Sequence, residues 1–122
     1  MTMAKKAQLE SSLVGGWRIT LMEQWDQSFV DVEVKGFFDF RPNGQGDFQF
    51  GYVSGEIVYR QTTRDGKPAI EFSWDGNDEM DTAQGRGWAT LVAKNTIEGM
   101  VFFHHGDQSA FRATRKKSKS AT

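Results

Sequence analysis

The only two histidines of the chain, His104 and His105, stand side by side in "EGMVFFHHGD" at 98–107. An imidazole changes charge near neutrality and can act as a general acid or base, or as a metal ligand. If the apolar run is a strand, neighbouring side chains face opposite sides. His105 then points inward with Val101 and Phe103, and His104 points outward with Met100 and Phe102. Two imidazoles so divided cannot converge on one ion, which needs each nitrogen within about 2.0 to 2.1 Å. The second chemical candidate is Glu23 in "TLMEQWD". A carboxylate sharing an inner strand face with Leu21 and Trp25 must be paired, hydrated or driven toward neutrality. It is either an ion-pair partner for Arg86 or a base or polar anchor for a ligand. The run "DGNDEMD" at 75–81 alternates carboxylates as a calcium loop does. An EF-hand, however, needs Gly at its sixth position and Glu at its twelfth, where this chain has Met80 and Arg86. It reads as a solvated loop. "NGQG" and "GRGW" lack the lysine and following helix of a phosphate loop, and no serine sits in a nucleophile elbow. We therefore assign no catalytic residue, metal site or cofactor from the sequence.

Composition narrows the elements that could position these groups. Ten Phe, four Trp and 13 Gly against two Pro favour strands joined by tight turns. With no cysteine, disulfides, thiolate metal sites and thiol catalysis are excluded. The 122 residues suit one domain that buries roughly two-thirds of its extended surface. No apolar run is long enough for a membrane helix, and "MTMAKKAQLESS" lacks a secretory core, so a cytoplasmic protein without a membrane partner is expected. Residues 1–111 carry ten basic against sixteen acidic side chains, while the last eleven residues hold five basic ones. An acidic body argues against a nucleic-acid partner, which requires a basic surface. The end, "RKKSKSAT", reads as a solvated tail.

From Val14 onward apolar residues alternate with period two and turn signals recur about every ten residues. The spacing predicts eight strands near 14–26, 33–41, 45–54, 56–63, 68–75, 85–94, 96–105 and 108–116. Three connections, "RPNGQG", "RDGK" and "KN", are hairpin turns. No interval has room for a crossover helix, so the strands form an antiparallel meander. Closing it into an up-and-down barrel removes both edges. The expected architecture is all-β: an N-terminal segment over 1–13 with a short helix, one barrel domain over 14–116, and a tail over 117–122.

"VGGWRIT" at 14–20 opens the first strand with Gly15-Gly16-Trp17. It resembles the Gly-x-Trp signature of lipocalins and related calycin barrels, and the chain is similar to small uncharacterised bacterial lipocalin-like proteins. The resemblance implies a barrel that takes a small, mostly apolar molecule, and a basic residue of the last strand packed on Trp17, either Arg112 or Arg115. Nitrobindin-like barrels, which also open on Gly-x-Trp, would make His105 a haem ligand; no other feature of the sequence supports that role.

Alternation assigns the inner faces. They are Trp17, Ile19, Leu21, Glu23 and Trp25 on the first strand, Val34, Phe38 and Phe40 on the second, Phe48, Phe50 and Tyr52 on the third, and Ile70, Phe72 and Trp74 on the fifth. Strands four, six and seven are apolar on both faces. There the inner sets are taken as Ile57 and Tyr59, Trp88 and Val92, and Ile97, Val101, Phe103 and His105. In a meander the longer connections, 26–32 and 75–85, share one rim, which should be the open mouth. Glu23, Trp25, Tyr52, Trp74, Arg86, Trp88 and His105 meet that rim, and with Tyr59 they form the expected ligand site.

Three readings follow. The first is a non-enzymatic barrel binding a small apolar or aromatic ligand at the mouth. The second is a cofactor-independent isomerase, cyclase or lyase using Glu23 or His105. The third is a homo-oligomeric module with a filled barrel, in which outward Met100, Phe102, Val58 and Leu91 could seal a homodimer.

Overall fold

The computed structural model describes residues 13–116. The expected helix before the first strand and the basic tail lie outside the described residues. Eight strands, β1 (Gly15–Met22), β2 (Phe37–Phe40), β3 (Gln45–Phe50), β4 (Val53–Arg64), β5 (Lys67–Asp78), β6 (Asp81–Ala93), β7 (Thr96–Phe103) and β8 (Gln108–Arg115), form a closed barrel in sequence order. Every neighbouring pair is antiparallel, and β8 closes onto β1. A single helical turn, α1 (Gln27–Val30), lies between β1 and β2. No helix among the described residues is long and apolar enough to cross a membrane.

The barrel interior is packed with rings. Trp17, Phe38, Phe40, Phe48, Phe50, Phe72, Trp74 and Phe111 are all buried. Phe38 lies near the centre of the stack, with ring centroids 4.5 Å from Phe111, 5.4 Å from Phe48 and 6.0 Å from both Phe40 and Phe72. The inner faces read for β2, β3 and β5 hold at Phe38, Phe40, Phe48, Phe50, Ile70, Phe72 and Trp74, and on β4 at Ile57 and Tyr59.

Four parts of the sequence reading are corrected. The register of β1 on β8 shifts between Ile19 and Leu21. A one-residue irregularity flips every later side chain to the other face, so Met22 is buried while Leu21 is 54% exposed and Glu23 stands in solvent. β1 also ends at Met22 and β2 begins only at Phe37, leaving Val34 exposed in the connection. The acidic run 75–81 is not a loop: β5 and β6 continue to a two-residue turn at Glu79 and Met80, making a long hairpin. On β6 the inner residues are Gly87, Ala89 and Leu91, while Trp88 and Arg86 face outward and Val92 is exposed. The cause lies across the sheet: a Cβ on Gly87 would come within 2.2 Å of the Phe72 ring. Opposite Phe72 the inner side of β6 therefore takes a glycine, with Ala89 beside it and the larger Leu91 packed against the core further along.

Candidate functional site

Residues 23–36 cross the barrel end where the sequence predicted an open mouth. A polar clamp holds this segment to β1. Arg18 donates from Nη1 and Nη2 to the two oxygens of Asp31, at 3.0 and 2.7 Å. The Gly36 amide adds a bond of 2.9 Å and Gln27 one of 3.1 Å to the same carboxylate. The Arg18 guanidinium, together with these donors, holds the Asp31 carboxyl down to a pKa of about 2, against the opposing effect of desolvation. Val30 is fully buried beneath the clamp, and its carbonyl accepts from the Gly51 amide at 2.8 Å. Gly51 has φ +58°, and a Cβ there would lie 2.3 Å from the Phe29 ring. Only glycine both adopts that backbone and leaves Phe29 its seat.

What remains open at this end is a notch of about 300 Å³ between the covering segment and the β5–β6 hairpin. Trp25, Phe29 and Phe103 form its aromatic wall, and Asp78, Thr82, Gln84, His104 and Asp107 supply its polar groups. Trp25 leans on Phe50 at 5.3 Å and on both Phe29 and Phe103 at 6.2 Å, so its ring is braced by the core below. All three wall residues are only partly buried. The volume is at the small end of ligand clefts, and its few polar groups around an apolar wall are what such clefts need.

Of the residues expected to bind a ligand, Trp25 lines the notch. Tyr52 is exposed but packs edge-on against Phe29 at 5.9 Å. Trp74 is buried beneath the notch, donating to the Phe102 carbonyl at 3.2 Å and meeting Phe103 edge-on at 5.1 Å. Tyr59 is buried on β4 in contact with Phe40, its hydroxyl bonded to the Arg41 carbonyl of the β2–β3 turn. Glu23 lies on the β1–β8 edge, where the Ala110 amide donates to it at 3.4 Å. Arg86 and Trp88 project from the outer face of β6, with Arg64 stacked 3.7 Å over Trp88.

The histidines depart most from expectation. β7 ends at Phe103, and His105 has φ +58° in a turn. Both imidazoles are exposed, with centroids 4.0 Å apart, rather than on opposite faces of a strand. The Gly106 amide closes that turn on the Phe103 carbonyl at 3.0 Å, and the His104 amide donates to Gln84 at 2.8 Å. His104, not His105, lines the notch. Among the described residues no group of three or more His, Cys, Asp or Glu is placed to hold a metal ion. Sequence reasoning missed Phe29, Asp78, Gln84 and Asp107. The available signal was the connection itself, in which Phe29 and Val30 stand with Trp25, Val32 and Val34, too many apolar residues for a wholly solvated loop.

At the opposite end, Arg115 lies 4.2 Å over the Trp17 ring, while Arg112 pairs with Glu98 on the outer surface. Comparisons with protein-family models, with curated proteins and with solved structures give no match for this chain.

Proposed function

We propose that this chain is a calycin-type binding barrel that holds a small aromatic molecule in the notch rather than inside the barrel. Support for the calycin reading comes from Gly15-Gly16-Trp17 at the start of β1 and the Arg115 guanidinium over Trp17, the arrangement the resemblance implied. The observation that carries the binding reading is the convergence of three partly exposed rings, Trp25, Phe29 and Phe103, on one notch while the interior below is filled with side chains. Asp78 and Asp107 line the same notch, so the ligand class is a flat ring bearing an ammonium or amidinium, which would stack on the wall and neutralise the carboxylates. The acid/base alternative is weakened, because neither Glu23 nor His105 lines the notch.

The test is a titration with benzamidine and tryptamine, followed by amide and indole NMR shifts, beside toluene and benzoate as controls. The cationic rings should move the Trp25 indole and the His104 amide, and Trp25→Ala should weaken the effect at least tenfold. Shifts scattered elsewhere, or unchanged by Trp25→Ala, would refute the assignment. Native mass spectrometry of the freshly purified chain would then identify any resident molecule.

A further inference from the structure

Of the charged cross-strand register partners on the barrel, two pairs are of opposite sign. Arg112 opposes Glu98 and Arg60 opposes Glu71, and both pairs are bonded. The other five are of like sign: Arg64 with Lys67 and Asp78 with Asp81 flank hairpin turns, and the remaining three run along one row. Asp39, Asp47, Glu56 and Asp75 are successive register partners across β2, β3, β4 and β5. Strands lie about 4.8 Å apart, so four carboxylates stand side by side, an arrangement that is destabilising when left uncompensated. Arg41 reaches the first two, at 3.9 Å from Asp39 and 3.0 Å from Asp47. No ion pair among the described residues reaches Glu56 or Asp75.

The missing cations are on the same face. One row further on, Val58 opposes Ser73 and Ser73 opposes Arg86. Arg86 is exposed and makes no ion pair among the described residues, and Arg64 lies on Trp88 rather than on a carboxylate. Val58, in the row of Arg86 and next to Glu56 along β4, is 62% exposed, an apolar side chain in a groove shared with Glu56, Asp75 and Arg86.

We propose that the outer face of β4, β5 and β6 is a homodimer interface. Glu56 and Asp75 of one copy meet Arg86 of the other, and the Val58 rows pack near the two-fold axis. A two-fold interface pairs residue i with j and j with i, so it needs a surface carrying both a feature and its complement. This face does: two carboxylates without an ion pair among the described residues, Glu56 and Asp75, beside an unpaired Arg86, with exposed Val58 on the same groove. The second copy is favoured over a separate cationic partner because the face also presents Arg86, which a cation would repel.

The experiment measures mass by light scattering and sedimentation across a micromolar dilution series, using the full chain, Glu56→Arg, Arg86→Glu and their equimolar mixture. The wild type should dimerise, more weakly as salt rises. Each single reversal places like charges opposite each other twice and should weaken the dimer by about 100-fold or more. The mixture should restore a dimer with one copy of each variant, since Arg at 56 then faces Glu at 86. That recovery also shows that both variants fold. A wild type monomeric at every concentration overturns the proposal, as does a dimer that survives both reversals or a mixture that stays monomeric. The groove on this face adjoins the notch at Gln84 and His104 but includes none of the Trp25, Phe29 and Phe103 wall, so a monomer that still binds benzamidine, read at the Trp25 indole, would sink this inference alone.

Discussion

Arg115 of β8 stacks 4.2 Å above Trp17 of β1 and donates from Nη1 to the Val14 carbonyl at 3.0 Å. Those two strands are the first and last of the meander, so this contact lies on the seam where the barrel shuts. Trp17 is fully buried and its indole donates to the Leu13 carbonyl at 3.0 Å, which fixes the ring under the guanidinium. Arg115→Ala removes a partly desolvated cation–π contact and uncaps a carbonyl. The expected loss is about 1–3 kcal/mol. Arg112→Ala breaks only the exposed pair with Glu98 and should cost about 0.5 kcal/mol or less. Urea unfolding of the two variants, with unchanged m-values, gives the comparison.

Asp31 makes the covering segment sensitive to acid. Its folded pKa, about 2, lies below the unfolded value near 3.9. The stability this gives is complete above pH 4 and is lost as the pH falls through 2. Because the clamp is partly solvated, its worth is about 1 kcal/mol rather than the full shift. Asp31→Asn should lower stability by that amount at pH 7 and flatten the stability curve between pH 4 and 2. Urea midpoints across that range would show it.

Gly51→Ala should loosen the aromatic wall without dissolving the barrel. The variant must either strain its backbone at φ +58° or displace Phe29, whose ring would lie 2.3 Å from the new methyl. We expect about 1–3 kcal/mol of destabilisation. Loss of the NMR contacts between Phe29 and Tyr52 would accompany it, with the Phe38 contacts preserved.

Phe38→Ala tests whether the interior is a packed core. The Phe38 side chain is fully buried among Phe40, Phe48, Phe72 and Phe111. Truncation should cost about 3–5 kcal/mol, measurable as a lower urea midpoint. A loss under 1 kcal/mol would mean that the ring fills no essential space.

The strand count, the meander and its closure were legible in the sequence by itself, because period-two alternation and tight-turn residues are local signals. The inward residues Phe38, Phe40, Phe48, Phe50, Ile70, Phe72 and Trp74 were equally legible, since their strands, Phe37 apart, carry mostly polar residues on the other face. Val34 and Tyr52, also read as inward, lie exposed beyond the strand ends. Where both faces carry apolar groups the alternation does not choose between them: Ile57 and Tyr59 on β4 proved inward and Trp88 on β6 did not, and only the tertiary structure decided. Trp88 looked inward on β6, but the Phe72 ring leaves room there only for Gly87, and Arg64 covers Trp88 outside. Glu23 looked inward until the β1–β8 register shift turned it out. His104 and His105 looked divided by a strand that in fact stops at Phe103. A side chain's direction depends on which strand shifts, ends or crowds beside it, and those neighbours are distant in sequence.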